Sequence, residues 1–196
     1  GVRVHERSPA LSLRAEAGGW RVETPSGAVI AKQVLVATNA YSDDLVPGLA
    51  ASLLPVNSFQ IATDPLPKDI DILPGRQTVY DSRRLILYFR ISPDGRLMIG
   101  GRASFSSSRR TSEKVADYSV LERVLTDIFP QAAGLSIRYR WTGLVGITID
   151  YLPHYHQPDK GLHVLVGYNG RGVALATRAG AFIGAKLAGG QETGEL

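Results

Sequence analysis

The sequence contains no cysteine among its 196 residues. Disulfides and thiolate metal sites are therefore excluded from this segment. Its apolar runs are far shorter than the ~20 residues of a membrane-spanning helix. It also lacks the charged stretch followed by an apolar stretch that marks a secretory signal. We therefore expect a cytoplasmic protein that does not engage a membrane.

Two kinds of catalytic site are also disfavoured. A nucleophile would need a cysteine or a G-x-S-x-G elbow, and the sequence has neither. A metal site would have to use His154 and His156, which alternate along one strand-like segment and so share a face. The sequence shows no carboxylate partner beside them, and His163 belongs to a separate strand. We therefore expect no bound metal.

Positive charge is in excess but is not concentrated. The formal net charge is +4 and the isoelectric point is near 9.5. Basic doublets occur only at Arg83–Arg84 and Arg109–Arg110, and neither is interleaved with aromatic residues. Nucleic-acid-binding proteins cluster such charge on one surface. A solvated face, or attraction of anionic small molecules, explains the charge better, and we expect no nucleic-acid partner.

The first forty residues predict short strands. "LSLRAEA" (11–17) and "WRVET" (20–24) flank a "GG" turn, and "GVRVHE" at the start alternates in the same way. "AVIAKQVLVAT" (28–38) becomes continuously apolar at "VLVAT", which favours a central strand buried on both faces of a parallel sheet. The polar "NAYSDDL" follows at the carboxyl end of that strand, the edge where open α/β sheets bind ligands.

The middle of the chain predicts antiparallel strands and one helix. "SPDG" (92–95) indicates a hairpin turn. A helix is predicted over 113–129, with Ser112 as its cap and Pro130 as its stop. The strand-like segments are 55–67, 77–82, 85–92, 96–102 and 136–150. The apolar helix residues that share one face are Val115, Tyr118, Leu121, Val124, Leu125 and Ile128.

The last segment predicts a strand, a turn and a helix. "GLHVLV" (161–166) is typical of a buried strand, "GYNGRG" of a glycine-rich turn, and residues 173–190 of a helix. Backbone amides at such a turn can face a ligand, although glycines also serve as plain connections between strand and helix. Small residues on the helix favour tight packing onto a sheet: Ala174, Ala176, Ala179, Gly180 and Gly184.

These patterns predict a mixed α+β and α/β fold with two interleaved regions. Residues 1–48 and 142–196 form an α/β region. Residues 49–141 form an inserted, mostly antiparallel sheet that carries the helix. Residue 1 opens directly into a strand-like pattern without an initiator methionine, as though the chain began inside a longer one.

Five segments in order resemble the FAD-dependent oxidoreductases of the D-amino-acid oxidase superfamily, especially the branch with γ-glutamylputrescine oxidoreductase. They are "VLVATNAYSDDL" (34–45), "PVNSFQIATDPL" (55–66), "YFRISPDGRLMIGGR" (88–102), "WTGLVGITIDYLP" (141–153) and "GYNGRGVALAT" (167–177). The resemblance implies FAD as the cofactor and a small-molecule amine or amino acid as the substrate. It also implies that a CH–NH or CH–NH2 donor is oxidised by hydride transfer to flavin N5.

Such enzymes begin with a strand, a G-x-G-x-x-G turn and a helix that seat the ADP half of FAD. No such motif occurs in these 196 residues. The resemblance therefore implies that this chain is the carboxyl-terminal portion of a longer enzyme. The partner of this portion would be the missing amino-terminal segment that binds FAD. We expect this portion alone to be apo and inactive. The missing motif also leaves open a non-catalytic binding or interaction module built on the same fold.

The resemblance places three segments near the cofactor. The family's matching glycine turn approaches the flavin ring, and the helix amino end points at the N1–C2=O edge. The segment after the first parallel strand passes near the phosphate or ribityl part, and the 143–153 segment crosses the flavin. The alternatives are a glycine cap without a ligand and an Asx turn at the strand end. The implied cofactor residues are Thr38, Asn39, Gly143, Gly146, Gly167, Asn169, Gly170, Arg171, Gly172 and Val173.

Substrate contacts are implied for the antiparallel middle. In amine oxidation the protein must mainly orient the substrate and keep its amine neutral, and it need not supply a base. We therefore assign no catalytic residue. Tyr88, Arg90 and Arg102 lie on or beside one hairpin, and an arginine fork suits a substrate carboxylate. The alternative is that these arginines are plain surface residues. Trp141 either walls the pocket or fills the core.

Overall fold

The computed structural model describes residues 2–82, 86–105 and 117–189, without the side chains of 102–105. Both arginine doublets thus lie outside the described residues. The mixture of strands and helices confirms the predicted fold class. The strands are β1 (Ser12–Glu16), β2 (Gly19–Thr24), β3 (Gly27–Ala31), β4 (Val34–Val36), β5 (Leu54–Pro65), β6 (Val79–Tyr80), β7 (Tyr88–Ile91), β8 (Arg96–Phe105), β9 (Ile137–Ile147), β10 (His154–Asp159) and β11 (Leu162–Val166). The α-helices are α1 (Ser119–Ile128) and α2 (Gly172–Leu187).

The chain divides into two compact units. The first consists of Gly1–Pro55 and Val145–Leu196, and the second is Val56–Leu144. Within the first unit, β1, β2 and β3 form an antiparallel meander. The strand predicted at the start of the chain is wrong. Residues 2–5 form no strand, and Val2 and Val4 are exposed.

The second sheet of this unit has the order β10-β11-β4. β11 runs parallel to β4 and antiparallel to β10, so the apolar run predicted to belong to a parallel sheet does have a parallel neighbour. All five residues of β11 are buried, because alternate side chains pack into two separate clusters. In the described part of the chain β4 has a neighbour on one side only, and Leu35 is 37% exposed.

α2 packs against β11 through a narrow face. Its buried residues are Ala179 and Ile183, which cluster with Leu165 of β11. The prediction that all its small residues pack onto the sheet is wrong, because the other four are exposed: Ala174, Ala176, Gly180 and Gly184. None of the helices in the described ranges has both the length and the hydropathy to cross a bilayer.

The second unit contains a five-stranded sheet with the order β6-β7-β8-β5-β9. β6, β7, β8 and β5 pair antiparallel in turn, as predicted. The predicted hairpin turn also forms between β7 and β8, where Ser92 N donates to Arg96 O at 2.9 Å. Gly95 takes φ +83° there, a conformation that glycine adopts without strain.

One face of this sheet packs on α1. Leu97 and Ile99 of β8 are fully buried and cluster with Leu121 and Leu125 of the helix. Successive side chains of a strand point to opposite faces, so Met98 and Gly100 belong to the face away from α1.

α1 is shorter than predicted over the described residues. It begins at Ser119, whose N–H donates to Asp117 Oδ1 at 3.0 Å. Ser112, the predicted cap, and residues 113–116 lie outside the described residues. α1 ends at Ile128, and Pro130 opens a short 3-10 turn, in agreement with its predicted role as a stop.

Candidate functional site

The turn between β11 and α2 has an unusual backbone. Gly167, Asn169 and Gly170 take φ values of +84°, +53° and +83°. Glycine tolerates this region, and asparagine does so better than most residues. A β-carbon at Gly167 would also approach Thr148 Cγ2 to 2.5 Å. The sequence therefore places glycine where both conformation and space require it.

A pair of polar side chains holds this turn. Asn169 Oδ1 accepts from Thr148 N at 2.8 Å, and Asn169 Nδ2 donates to Thr148 Oγ1 at 3.1 Å and to Gly167 O. Thr148 Oγ1 donates to Leu152 O at 2.9 Å, and Asn169 N donates to Gly146 O at 3.2 Å. We call this arrangement the Thr148–Asn169 brace. It joins the segment after β9 to the turn.

Sequence reasoning missed Thr148. Its side chain is buried, with 5% exposure, and it follows directly after β9. The available signal was a threonine inside the otherwise apolar run "GLVGITI" (143–149). A buried polar group requires hydrogen-bond partners, so such a residue marks a local polar network.

Asn39 brings the segment after β4 to the same place. Its Oδ1 accepts from Gly167 N at 2.9 Å, and its φ is +46°. A β-carbon at Gly146 would lie 2.8 Å from Asn39 Oδ1, so only glycine leaves room for this amide. Thr38 makes a different contact, with its Oγ1 2.7 Å from Ser42 Oγ.

The amino end of α2 follows the turn. The helix has no side-chain cap and no acidic residue in its first turn, and Val173 is 96% exposed. The first N–H groups of a helix have no intrahelical partner, and this end carries the positive end of the dipole. Arg171 extends toward the neighbouring loop, where its Nη2 donates to Tyr151 O at 2.5 Å. The helix start can therefore receive an electron-rich group.

The structure thus collects part of the predicted cofactor set. Asn39, Gly146, Gly167 and Asn169 form one contact network. Gly170, Arg171, Gly172 and Val173 continue directly into the helix. Thr38 borders the network, and Gly143 belongs to the second unit.

The loop beside the turn contains a carboxylate that the sequence analysis did not pair with the histidines. Asp150 Oδ2 lies 3.0 Å from His154 Nε2. The hydrogen bond from His154 and then that from Leu152 N lower the pKa of Asp150 to about 2. The imidazole rings of His154 and His156 stack at 5.5 Å. The described residues nevertheless hold no group of three or more side chains able to bind a metal.

His163 has a structural position. Its Nδ1 lies 2.8 Å from Tyr155 OH, and its Nε2 lies 3.0 Å from Gln33 Oε1. Burial, and then the charge of Lys186, lower the pKa of His163. A neutral ring that accepts from Tyr155 and donates to Gln33 satisfies both contacts.

The predicted substrate residues lie in the second unit. Tyr88 pairs with Gly100 across β7 and β8, and Tyr88 OH is 3.2 Å from Ser58 Oγ. Arg90 pairs with Met98 and is exposed on the sheet face away from α1. The side chain of Arg102 lies outside the described part of the chain.

A cavity of about 410 Å³ opens in this unit. Two contacts hold the Arg96 side chain in this cavity. Its Nε donates to Asp94 Oδ2 at 2.6 Å, and its guanidinium lies 5.2 Å from the Tyr139 ring. Trp141 is half-buried and lines the cavity. The full lining is Ala62, Ser92, Asp94, Arg96, Met98, Tyr139, Arg140 and Trp141.

Known proteins share both the sequence and the fold. Residues 1–185 match the family model described as FAD dependent oxidoreductase (DAO). The chain is 37% identical over 194 residues to probable oxidoreductase OrdL of Rhizobium meliloti, covering 98% of this chain and 44% of that protein. It is 34% identical over 195 residues to gamma-glutamylputrescine oxidoreductase of Escherichia coli, covering 98% and 45%. The chain thus spans less than half the length of these curated relatives.

Solved structures give the same picture at lower identity. Glycine oxidase from Geobacillus kaustophilus superposes with a TM-score of 0.80 at 21% identity, covering 98% of this chain and 51% of that one. Iminodiacetate oxidase from Chelativorans sp. BNC1 superposes with a TM-score of 0.75 at 17% identity, covering 94% and 50%. At these identities, the likeness concerns the fold.

Proposed function

The chain belongs to the FAD dependent oxidoreductase (DAO) family, and on that premise we propose that it is the carboxyl-terminal portion of a longer amine or amino-acid oxidoreductase. The unit of Gly1–Pro55 and Val145–Leu196 contributes the distal part of the flavin site. The unit Val56–Leu144 contributes the substrate contacts. The observation that carries this proposal is the braced 167–172 turn, which ends in an uncapped helix start without an acidic residue.

The helix start fits a flavin chemically. In the family that this chain resembles, the N1–C2=O edge of the flavin faces the matching turn, and that edge becomes negative on reduction. The free N–H groups and positive dipole at the start of α2 suit such a charge. A donor of this kind supplies ~2–4 kcal/mol when it is comparable to an oxyanion-hole donor. When bound, FAD would supply the two-electron acceptor for the hydride from the substrate C–H bond.

This chain's own groups would hold that edge. The backbone N–H groups of Gly172 and Val173 lie in the first turn of α2. Asn39 uses Oδ1 for Gly167 N, while no acceptor for its Nδ2 occurs among the described residues. Asn39 Nδ2 can therefore donate to the cofactor.

The second unit would orient the substrate. Arg90 is exposed on the sheet face away from α1, and its fork can bind a carboxylate through two parallel hydrogen bonds. Tyr88 and Trp141 would limit the position of the amine. The names of the relatives refer to γ-glutamylputrescine, glycine and iminodiacetate, and each compound contains both an amine nitrogen and a carboxylate. This chemistry supports an amine-bearing acid as the substrate.

The test begins with the full-length protein that contains these residues. We expect it to purify with bound FAD, and we expect an amine or amino acid to bleach the flavin absorbance under anaerobic conditions. The corresponding alcohol should leave the absorbance unchanged. A full-length protein that takes up no flavin, or whose flavin no amine or amino acid reduces, would refute the proposal.

Residues 1–196 alone should be colourless, because they contain no G-x-G-x-x-G turn for the pyrophosphate. A stoichiometric flavin complex of this chain alone would contradict that expectation. The non-catalytic module considered from the sequence is not favoured, since the family match extends over residues 1–185.

A further inference from the structure

We propose that Thr148 and Asn169 are positioning residues that set the cofactor-facing turn without touching the cofactor. This inference rests on the proposed function, because the turn matters only as the support of the helix start. It changes the role predicted for Asn169 from cofactor contact to internal support. It also adds Thr148, which no sequence motif identified.

Hydrogen-bond accounting supports this role. The amide of Asn169 has two N–H donors, and both are used, one by Gly167 O and one by Thr148 Oγ1. Its Oδ1 accepts from Thr148 N at 2.8 Å. The Thr148 hydroxyl has one hydrogen, which goes to Leu152 O at 2.9 Å. Neither side chain therefore retains a donor for a ligand.

The backbone explains why support is needed. The turn contains left-handed residues at 167, 169 and 170, and one of them is not glycine. Such a conformation persists only where surrounding contacts over-determine it. Thr148 supplies two of these contacts, since its hydroxyl accepts from Asn169 Nδ2 and its backbone N–H donates to Asn169 Oδ1. Loss of the brace would release the turn and shift the first N–H groups of α2.

The decisive comparison is Thr148→Val against Thr148→Ser in the full-length flavoprotein. Valine keeps the shape but removes the hydroxyl, whereas serine keeps the hydroxyl. We expect Thr148→Val to speed amide hydrogen exchange over residues 167–175 by about fivefold, the factor that one hydrogen bond of typical net strength supplies. The flavin midpoint potential of Thr148→Val should become more negative. In Thr148→Ser, the exchange rate and the midpoint potential should both stay closer to the wild-type values.

Thr142→Val is the matched control. Thr142 lies on β9 in the second unit, and its Oγ1 donates to Ser58 O at 3.0 Å, so this variant also removes the hydroxyl of a threonine together with a partly buried hydrogen bond. It should leave exchange at 167–175 and the midpoint potential unchanged. A shift as large as that of Thr148→Val would overturn the proposal.

Asn169→Gly supplies a second variant, which matters if Thr148→Val does not fold. Glycine accepts the φ of +53° at this position, so only the side-chain bonds are lost. We expect the same direction of change, and a double variant with Thr148→Val whose effect is less than the sum of the two, because both changes remove the Asn169 Nδ2–Thr148 Oγ1 hydrogen bond.

Additive effects, or an unchanged midpoint potential in folded and flavin-loaded variants, would overturn the positioning role. Failure of the proposed function looks different, since the wild type itself would then bind no flavin. In that case the exchange measurement alone still decides whether the pair braces the turn.

Discussion

The Tyr88 ring occupies the space above Gly100 on the neighbouring strand. A β-carbon built at Gly100 would overlap Cε2, Cζ and the hydroxyl oxygen of Tyr88. The same hydroxyl lies 3.2 Å from Ser58 Oγ on β5, so the phenol spans three adjacent strands. The missing side chain at Gly100 therefore determines where the phenol lies.

Gly100→Ala should displace Tyr88 without unfolding the sheet, since the overlapping atoms belong to a movable side chain. We expect a stability loss of about 1–3 kcal/mol, the usual cost of overpacking. In the full-length enzyme, the KM for the amine should rise clearly more than it does in Tyr88→Phe, which keeps the ring and removes only the hydroxyl. Steady-state kinetics with both variants checks this. Equal KM values for Gly100→Ala and wild type would place Tyr88 outside the substrate site.

Gly172→Val should perturb the flavin much more than the fold. The three atoms nearest a β-carbon at Gly172 all belong to Tyr168, at 3.7–3.9 Å, which is ordinary contact. The side chain would instead occupy the space proposed for the flavin edge. A loss of ~2 kcal/mol in stabilising the reduced flavin corresponds to a midpoint about 40 mV more negative, since 30 mV is ~1.4 kcal/mol.

Spectroelectrochemical titration measures this shift. Gly184→Val is the control, because Gly184 lies later in the same helix, and a β-carbon there would meet no described atom within 4 Å. An unshifted midpoint in well-folded Gly172→Val would mean that the turn is only a connection between strand and helix.

Arg90→Lys should discriminate between substrates. Lysine keeps the charge but loses the planar fork, so a bidentate contact with a carboxylate would be lost. We expect the KM to rise much more for a carboxylate-bearing amine than for a neutral amine. Arg138→Lys is the control, because Arg138 is exposed on β9 and shares the face of Arg140, which pairs with Glu122 of α1. Equal changes for both substrates would make Arg90 a plain surface residue.

Asp150 should titrate far below an ordinary aspartate. Its pKa of about 2 lies below the ordinary aspartate value of 3.8, with the His154 hydrogen bond as the largest cause. A depressed carboxyl pKa stabilises the fold above the unfolded value, and this contribution disappears as the pH falls from about 4 toward 2. NMR titration of the carboxyl carbon should give the low value in wild type and a raised one in His154→Gln.

His156→Gln is the matched control, because His156 stacks on His154 without bonding to Asp150. It should leave the Asp150 titration in place. An Asp150 pKa that is the same in wild type and His154→Gln would show that the imidazole contact is not its cause.

Local chemistry predicted much of the fold. The "SPDG" hairpin was predictable because glycine sits where a left-handed residue is required, and β11 was predictable because four of its five residues are apolar. The strand predicted at residues 2–6 failed because alternation alone does not provide a partner strand. The sequence predicted burial on both faces for β4, whereas β11 is the middle strand of their sheet among the described residues. An apolar run does not reveal which strand lies in the middle.

The candidate site was only partly predictable. The glycines and asparagines at the turn could be predicted from the sequence, because the backbone conformations that favour these residues are a local property of the chain. Thr148 was not, because its partner Asn169 is 21 residues away and their meeting depends on how β9 and β11 are placed. The Asp150–His154 pair could have been recognised from its spacing of four residues.

The parallel pairing of β4 with β11 also determines the order in which the chain can fold. Asn39 and Gly167, which meet beyond the ends of those strands, are 128 residues apart. As the polypeptide leaves the ribosome, Val56–Leu144 emerges whole and can pair its own strands before β11 exists. β4 can pair with β11 only after the closing segment has emerged. The parallel pairing of β4 with β11 is therefore completed after Val56–Leu144 can have paired its own strands.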